Sequence, residues 1–326
     1  PAAAERELTI GTQDNEVSNL YAGIQAMGET LEEVSGGELT LNIFPSSTLG
    51  DFRSMVAQVQ AGELDMVTTG YPDMSYVIPE LNLIGAPYVA RDFAHLEQIV
   101  DGEWGQQMAA EFEDQGIRML DLWYYGTRQT TSNRPINEMA DMEGLRMRTP
   151  NVPFLIAYAE NVGATPAPVA FAEVYLALQT NQVDAQENPL PTIEAMRFYE
   201  VQDYVAITNH FIASIAMMIS NDLWQSLSEE EQGWIMEAVE AGAEVNDSRT
   251  VAAEEELLAT FEERGLTITR PDLEPFRAAM QPYYDTLEAE YGEGAIDRVT
   301  PPVARPRHIP IPARIPADGK HPPIQP

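Results

Sequence analysis

Residues 7–43 read ELTIGTQDNEVSNLYAGIQAMGETLEEVSGGELTLNI, and two different periods within that stretch decide the fold. Glu7-Leu-Thr-Ile10 is a short strand. From Val17 to Val34, the apolar residues Leu20, Ile24, Met27, Leu31 and Val34 recur at the spacing of one helix face, and Gly36-Gly37 ends the run. Leu39, Leu41 and Ile43 then alternate with polar residues, which is the period of a strand. Asp51 to Ala61 predicts a second helix closed by Gly62, and Leu64 to Thr68 a third strand. Strand, helix, strand, helix, strand implies a parallel, doubly wound sheet and an α/β fold. Such sheets bind small ligands outside the carboxyl ends of their strands, so Ser46-Ser47-Thr48 and Thr69-Gly70-Tyr71 are candidate site loops.

Working outward, Met119 to Tyr125 reads as an apolar strand, and Gly126 is the expected crossing into a second lobe with its own strand-helix alternation. Phe211 to Ser220 reads as a strand returning to the first lobe. Ser226 to Gly265 is helical in pattern and opens on Ser228-Glu-Glu-Glu231, a capping box; a helix of that length is wider than one lobe and can brace both. The expected division is therefore 1–125 with 211–250, and 126–210 with 251–300. From residue 301 to 326 the chain turns Pro-rich and basic, a composition that packs no core; this tail is expected to be disordered or non-native, with no function assigned to it.

Composition then removes whole classes of activity. A chain of 326 residues suits two lobes, and no apolar run approaches the ~18–20 residues of a bilayer-spanning helix. The opening Pro1-Ala-Ala-Ala-Glu5 reads as the start of a mature, exported chain whose signal has been removed. With no cysteine there is no disulfide, thiolate metal site or cysteine nucleophile. A net charge of −34 repels nucleic acid over most of the surface. Lys320 is the only lysine, and the acidic excess fits solubility in brine, so a halophilic source is expected.

The chain carries no G-x-S-x-G, G-x-x-x-x-G-K-[ST], G-x-G-x-x-G or H-E-x-x-H motif. Its four histidines, at 95, 210, 308 and 321, are too dispersed for a metal cluster, and His210 reads as structural. Neither cofactor nor metal is expected. Glu229-Glu230-Glu231 and Glu254-Glu255-Glu256 read as solvated helix faces. Cations are the scarce type, and in Leu145-Arg146-Met147-Arg148-Thr149-Pro150 basic and apolar residues alternate as on a strand that Pro150 ends. Arg148 then sits at the carboxyl edge, where a guanidinium can grip a carboxylate bidentately. Pattern alone leaves a plain salt bridge open for Arg148 and favours one for Arg146.

The stretch Trp123-Tyr-Tyr-Gly126-Thr-Arg128-Gln-Thr-Thr-Ser-Asn-Arg134, then Gly144-Leu-Arg-Met-Arg148-Thr-Pro-Asn151, resembles the DctP-type binding proteins of tripartite ATP-independent periplasmic (TRAP) transporters. So do Phe171-Ala-Glu173-Val-Tyr175, Gln186-Glu187-Asn188-Pro189 and Phe44-Pro-Ser-Ser-Thr-Leu-Gly50-Asp51, and the similarity runs from about Leu8 to about Tyr284. The resemblance implies a type II periplasmic-binding-protein fold: two α/β lobes, a ligand cleft and a long helix running across both. It implies a periplasmic, monomeric receptor with no catalysis, serving the small and large membrane subunits of a sodium-driven transporter. It maps the ligand carboxylate to Arg148 and Asn188.

The sialic-acid-binding branch is most similar over 123–190, and adds Arg128 at the carboxylate, Asn151 in the cleft and Phe171 as an aromatic wall. In the first lobe the chain departs from that branch, with Phe52 and Gly70 where sialate binders carry acids, and Gln13-Asp14 in the amino-terminal loop. Asp14, Tyr71 and Asp73 can meet the hydroxyls of a smaller ring, with Gln13 and Glu187 as further contacts. The expected ligand is a hexuronate such as glucuronate or galacturonate, with sialate or a small hydroxy- or dicarboxylic acid as the alternative. Rival classes are a sensor-linked binding protein and an enzyme acting through Asp184 and Glu187.

Overall fold

The computed structural model describes residues 6–300, so the tail lies outside the described residues, as do His308 and His321. The described chain divides into two units.

The first unit comprises residues up to Leu81, Ile99–Tyr125 and Ser214–Ala252. β1 (Arg6–Gly11) lies parallel to both β2 (Leu39–Phe44) and β3 (Met66–Gly70), pairing Ile10 with Ile43 and with Met66. The helix Asn19–Val34 starts two residues later than its apolar pattern, where the Ser18 hydroxyl accepts from the Tyr21 amide at 3.0 Å. Its Leu20, Ile24, Met27 and Leu31 bury against Leu8 and Ile10 of the sheet, together with Trp123 and Met217. The second helix, Phe52–Ala61, takes Asp51 as its cap.

The expectation of a wholly parallel sheet fails at β3. Its neighbour is β8 (Tyr204–Ser220), which runs antiparallel, Met66 facing Ile219 and Gly70 facing Ile215. A parallel neighbour needs a crossover that returns the chain to the starting edge. β8 instead enters this unit as one uninterrupted strand from the other end, and the sheet is mixed.

The second unit comprises Asn82–Gln98, Gly126–Ala213 and the chain from Ala253 onward. Residues 82–98 thus leave the first lobe to which the sequence reading gave them. Their packing explains it: a Cβ on Gly85 would lie 2.6 Å from the Phe154 ring, and Leu83 and Ile84 are buried. β4 (Ile117–Ser132) passes through the boundary at 125/126 without stopping. At Gly126 it takes φ +113°, and an added Cβ would fall 2.7 Å from Pro189.

β7 (Ala185–Pro189) is antiparallel to β4 and parallel to β5 (Arg146–Thr149), which is parallel in turn to β6 (Thr165–Pro168). Pro166 and Pro168 are tolerated because β6 is an edge strand. β9 (Thr267–Thr269) pairs with β8. Ala206 of β8 joins a core with Met147, Tyr158 and Phe276, while Val205 and Ile207 join another with Phe198 and Phe261, so both sheet faces are covered.

The helix Glu229–Glu263 runs through the boundary at 252/253. Its predicted capping box forms: the Glu231 amide donates to the Ser228 hydroxyl at 3.2 Å, and the Ser228 amide to the Glu231 carboxylate at 2.7 Å. Among the described residues no helix is long and apolar enough to cross a membrane.

Candidate functional site

Arg146 and Arg148 share one parity on β5, yet their environments differ. Arg146 is exposed and pairs with Asp184, Nη2 to Oδ1 at 2.7 Å; the pair holds the Asp184 carboxyl at about 2. That is the plain salt bridge anticipated for Arg146. Arg148 is only 2% exposed, and its Nε donates to the Val169 carbonyl at 2.9 Å, which fixes the plane of the guanidinium. Pro150 ends the strand just beyond it.

Strand register sorts the remaining candidates. Arg148 stands opposite Gln186 on β7, and Gln186 opposite Thr131 on β4, so these three form a row on one face; Asn188, two residues on from Gln186, shares it. Asn188 Nδ2 donates to Gln186 Oε1 at 2.6 Å. Asn151 follows β5 and is exposed, and Phe171, two residues past Val169, is half-buried. Arg148, Asn151, Phe171 and Asn188 therefore gather at the carboxyl ends of three parallel strands, the position where ligands dock in such sheets.

Arg128 and Glu187 belong to the opposite face. The Arg128 Nε bonds to the Glu187 carboxylate, and Nη2 donates to Oε1 at 2.8 Å and to the Glu187 carbonyl at 2.7 Å. His210 Nε2 lies 3.0 Å from the same carboxylate, its Nδ1 is 2.9 Å from the Thr208 hydroxyl, and its ring stacks on Tyr158 with centroids 4.1 Å apart. Burial pushes the Glu187 carboxyl up, but the Arg128 charge and the hydrogen bonds from His210 and Arg128 hold it below the ordinary range. Burial holds His210 below its ordinary value against the pull of Glu187, so the ring is neutral near pH 7. A neutral ring that donates from Nε2 accepts the Thr208 hydroxyl at Nδ1. Asp184 and Glu187, occupied by different arginines on different faces, make no acid-base pair.

In the first unit, Gln13 and Asp14 follow β1 and Tyr71 and Asp73 follow β3, again beyond the carboxyl ends of parallel strands. Gln13 is half-buried. The Tyr125 hydroxyl donates to Asp14 at 2.9 Å. Tyr71 is fully buried against Phe112, and its hydroxyl has no hydrogen-bond partner, nor do those of Thr69, Ser75 and Ser214. Unmatched buried hydroxyls cost free energy, and their concentration here is a signal of polar recognition that periodicity could not give for Ser75 and Ser214. A Cβ added to Gly70 would lie 2.5 Å from the Asp73 carboxylate, so Asp73 fills the space that a side chain at 70 would take. Phe52 is buried edge-on to Tyr76.

Burial raises the Asp14 carboxyl to about 6, against the Tyr125 hydrogen bond, from an ordinary 3.8. The folded group therefore holds its proton to higher pH than the unfolded one, so stability from this residue is present at low pH and lost as pH rises through about 6. Asp14→Asn should stabilise the protein more at pH 8 than at pH 4.5, by about 2 kcal/mol between the two. Urea unfolding of both chains at both pH values measures it, and equal effects would show that Asp14 titrates normally.

The description of bacterial extracellular solute-binding proteins, family 7 (DctP), matches residues 10–290. The sialic acid-binding periplasmic protein SiaP of Vibrio cholerae is 41% identical over 91% of this chain and 92% of its own. The 2,3-diketo-L-gulonate-binding periplasmic protein YiaO of Escherichia coli is 33% identical over 85% of each. A TRAP periplasmic solute-binding protein of Roseobacter denitrificans, solved with bound β-D-glucuronate, superposes with a TM-score of 0.85 at 27% identity, over 90% of this chain and 99% of that one. These are substrate-binding transport proteins that bind small organic acids and work with membrane components; they are not enzymes. By a family match over most of its length and a relative at 41% identity, the chain belongs to the DctP family of TRAP solute-binding proteins.

Proposed function

We propose that this protein binds a hexuronate-sized sugar acid by its carboxylate and hands it to the membrane subunits of a sodium-dependent TRAP transporter in the periplasm. The buried Arg148 guanidinium at the carboxyl end of β5, oriented by Val169, carries the reading. Its fork matches a carboxylate, and charged hydrogen bonds contribute roughly 1.5–3 kcal/mol each. Asn188, Asn151 and Phe171 assist it. On the first unit, Asp14, Tyr71, Asp73 and Gln13 are the candidate hydroxyl contacts.

Ligand size follows from Gly70. With Asp73 in that space, this loop offers one short carboxylate where a longer acid at 70 would reach further, which suits a small ring better than an extended polyol. The 41% identity to the Vibrio protein favours sialate as the second reading. Thermal unfolding with glucuronate, galacturonate, N-acetylneuraminate and a C4 dicarboxylate discriminates them. At ~100 times its dissociation constant the true ligand adds roughly 2.7 kcal/mol, several degrees of midpoint. The largest shift is expected with a hexuronate; a larger one with N-acetylneuraminate would transfer the assignment, and none with any acid would end it.

A further inference from the structure

The site residue Asn188 belongs to a chain of four buried polar side chains running through the second unit. Gln202 Nε2 donates to the Val201 carbonyl at 3.1 Å. The Thr131 hydroxyl donates to Gln202 Oε1 at 2.9 Å and accepts from Gln186 Nε2 at 2.9 Å, and Gln186 Oε1 accepts from Asn188 Nδ2 at 2.6 Å. None of the four is more than 4% exposed. Thr131 and Gln202 are 71 residues apart in sequence, and Gln186 and Thr131 are 55 apart.

An amide can be held either way round, and its surroundings decide which end is nitrogen. Here the decision is made at the far end. A backbone carbonyl only accepts, so Gln202 must turn its Nε2 to Val201 and its Oε1 to Thr131. A hydroxyl with an acceptor on that side has its proton committed, and it offers a lone pair on the other, which Gln186 meets with Nε2. Gln186 is then left with Oε1 toward Asn188, and Asn188 must answer with Nδ2. Reversing any single member would set two donors or two acceptors against each other in a buried site, each costing its full desolvation.

We infer that Thr131, Gln186 and Gln202 are positioning residues, a directed relay that fixes which way round the Asn188 amide is held before ligand arrives. Gln186 is also the register partner of Arg148, so the relay runs beside Arg148 on the same strand face and ends at Asn188. It rests on the reading of Asn188 as a ligand contact. Preorganisation of this kind removes an ordering cost from binding, and it makes Thr131 matter to affinity although it lies behind Gln186 in the relay.

Thr131→Val removes donor and acceptor together at nearly constant volume, and Thr131→Ser keeps both. Two readouts on the full chain separate the relay from the function proposed above. Without ligand, exchange of the Asn188 side-chain amide protons, followed by NMR, should be slow in the unmutated protein and in Thr131→Ser, and fast in Thr131→Val; unchanged exchange in Thr131→Val overturns the relay whatever the ligand. By calorimetry with D-glucuronate, Thr131→Val should lose roughly tenfold in affinity, with Thr131→Ser restoring it. On an Asn188→Ala background the Thr131→Val loss should vanish. A loss that persists on that background marks a merely structural role and overturns the inference. An Asn188→Ala chain that binds glucuronate as tightly as the unmutated one removes the contact that the relay serves, and overturns both.

Discussion

Arg148→Ala is expected to weaken D-glucuronate binding by about 10²–10⁴-fold while leaving a folded protein. The range follows from two charged hydrogen bonds to a carboxylate at roughly 1.5–3 kcal/mol each. Stability should fall far less, because the Arg148 Nε donates to a neutral acceptor, the Val169 carbonyl, in a bond worth about 1 kcal/mol net. Arg148→Lys should recover only part of the affinity, since an ammonium keeps the charge and loses the planar fork. Arg146→Ala is the control: its partner Asp184 is known, and glucuronate affinity should not change. Titration calorimetry beside urea unfolding reads both quantities, and an Arg148→Ala chain that retains its affinity would refute the assignment.

The largest stability effect is expected at Glu187. Glu187→Ala leaves Arg128 and His210 buried without the carboxylate that both address, and breaking such a pair from one side costs about 3–5 kcal/mol. Chemical denaturation should show it. The pH dependence carries a second signature. Glu187 and His210 are both held below their ordinary values, 4.5 and 6.5, so the folded state binds fewer protons than the unfolded one across the acid range. Their contribution is present above about 6.5 and is lost as pH falls, first through the histidine and then through the carboxylate. The difference in stability between the unmutated protein and a chain carrying both Glu187→Gln and His210→Gln, in which neither group titrates, should therefore shrink between pH 7 and pH 4. A constant difference would mean that the network does not titrate as a unit.

The first strands and helices were legible because each shows a clean period against one core: Leu20, Ile24, Met27 and Leu31 are spaced for a helix face and are buried. The capping box at Ser228 and the salt bridge of Arg146 followed from local chemistry. The antiparallel run of β8 was not legible, since a strand's direction depends on where the chain has come from. Residues 82–98 were misplaced because nothing local marks Leu81 as a boundary, and Phe154, which holds Gly85, lies far along the chain.

The polar interior was the least legible part. Thr127-Arg-Gln-Thr-Thr-Ser132 is polar throughout, yet all six residues are buried and are satisfied by partners such as Asn209, Gln202 and Glu187. Only tertiary structure pairs them. Arg128 shows the same limit: resemblance placed it at the ligand carboxylate, and register adds that it shares a strand face with Glu187 and not with Asn188.

The central claim is that affinity comes from a carboxylate gripped at Arg148, and comparing D-glucuronate with D-glucose by titration calorimetry tests it most directly. The two rings have the same size and differ at the carboxylate. Saturable binding of glucuronate, with glucose weaker by at least about 10²-fold, is the predicted result. Glucose binding as tightly as glucuronate, or no heat from glucuronate at all, would contradict it.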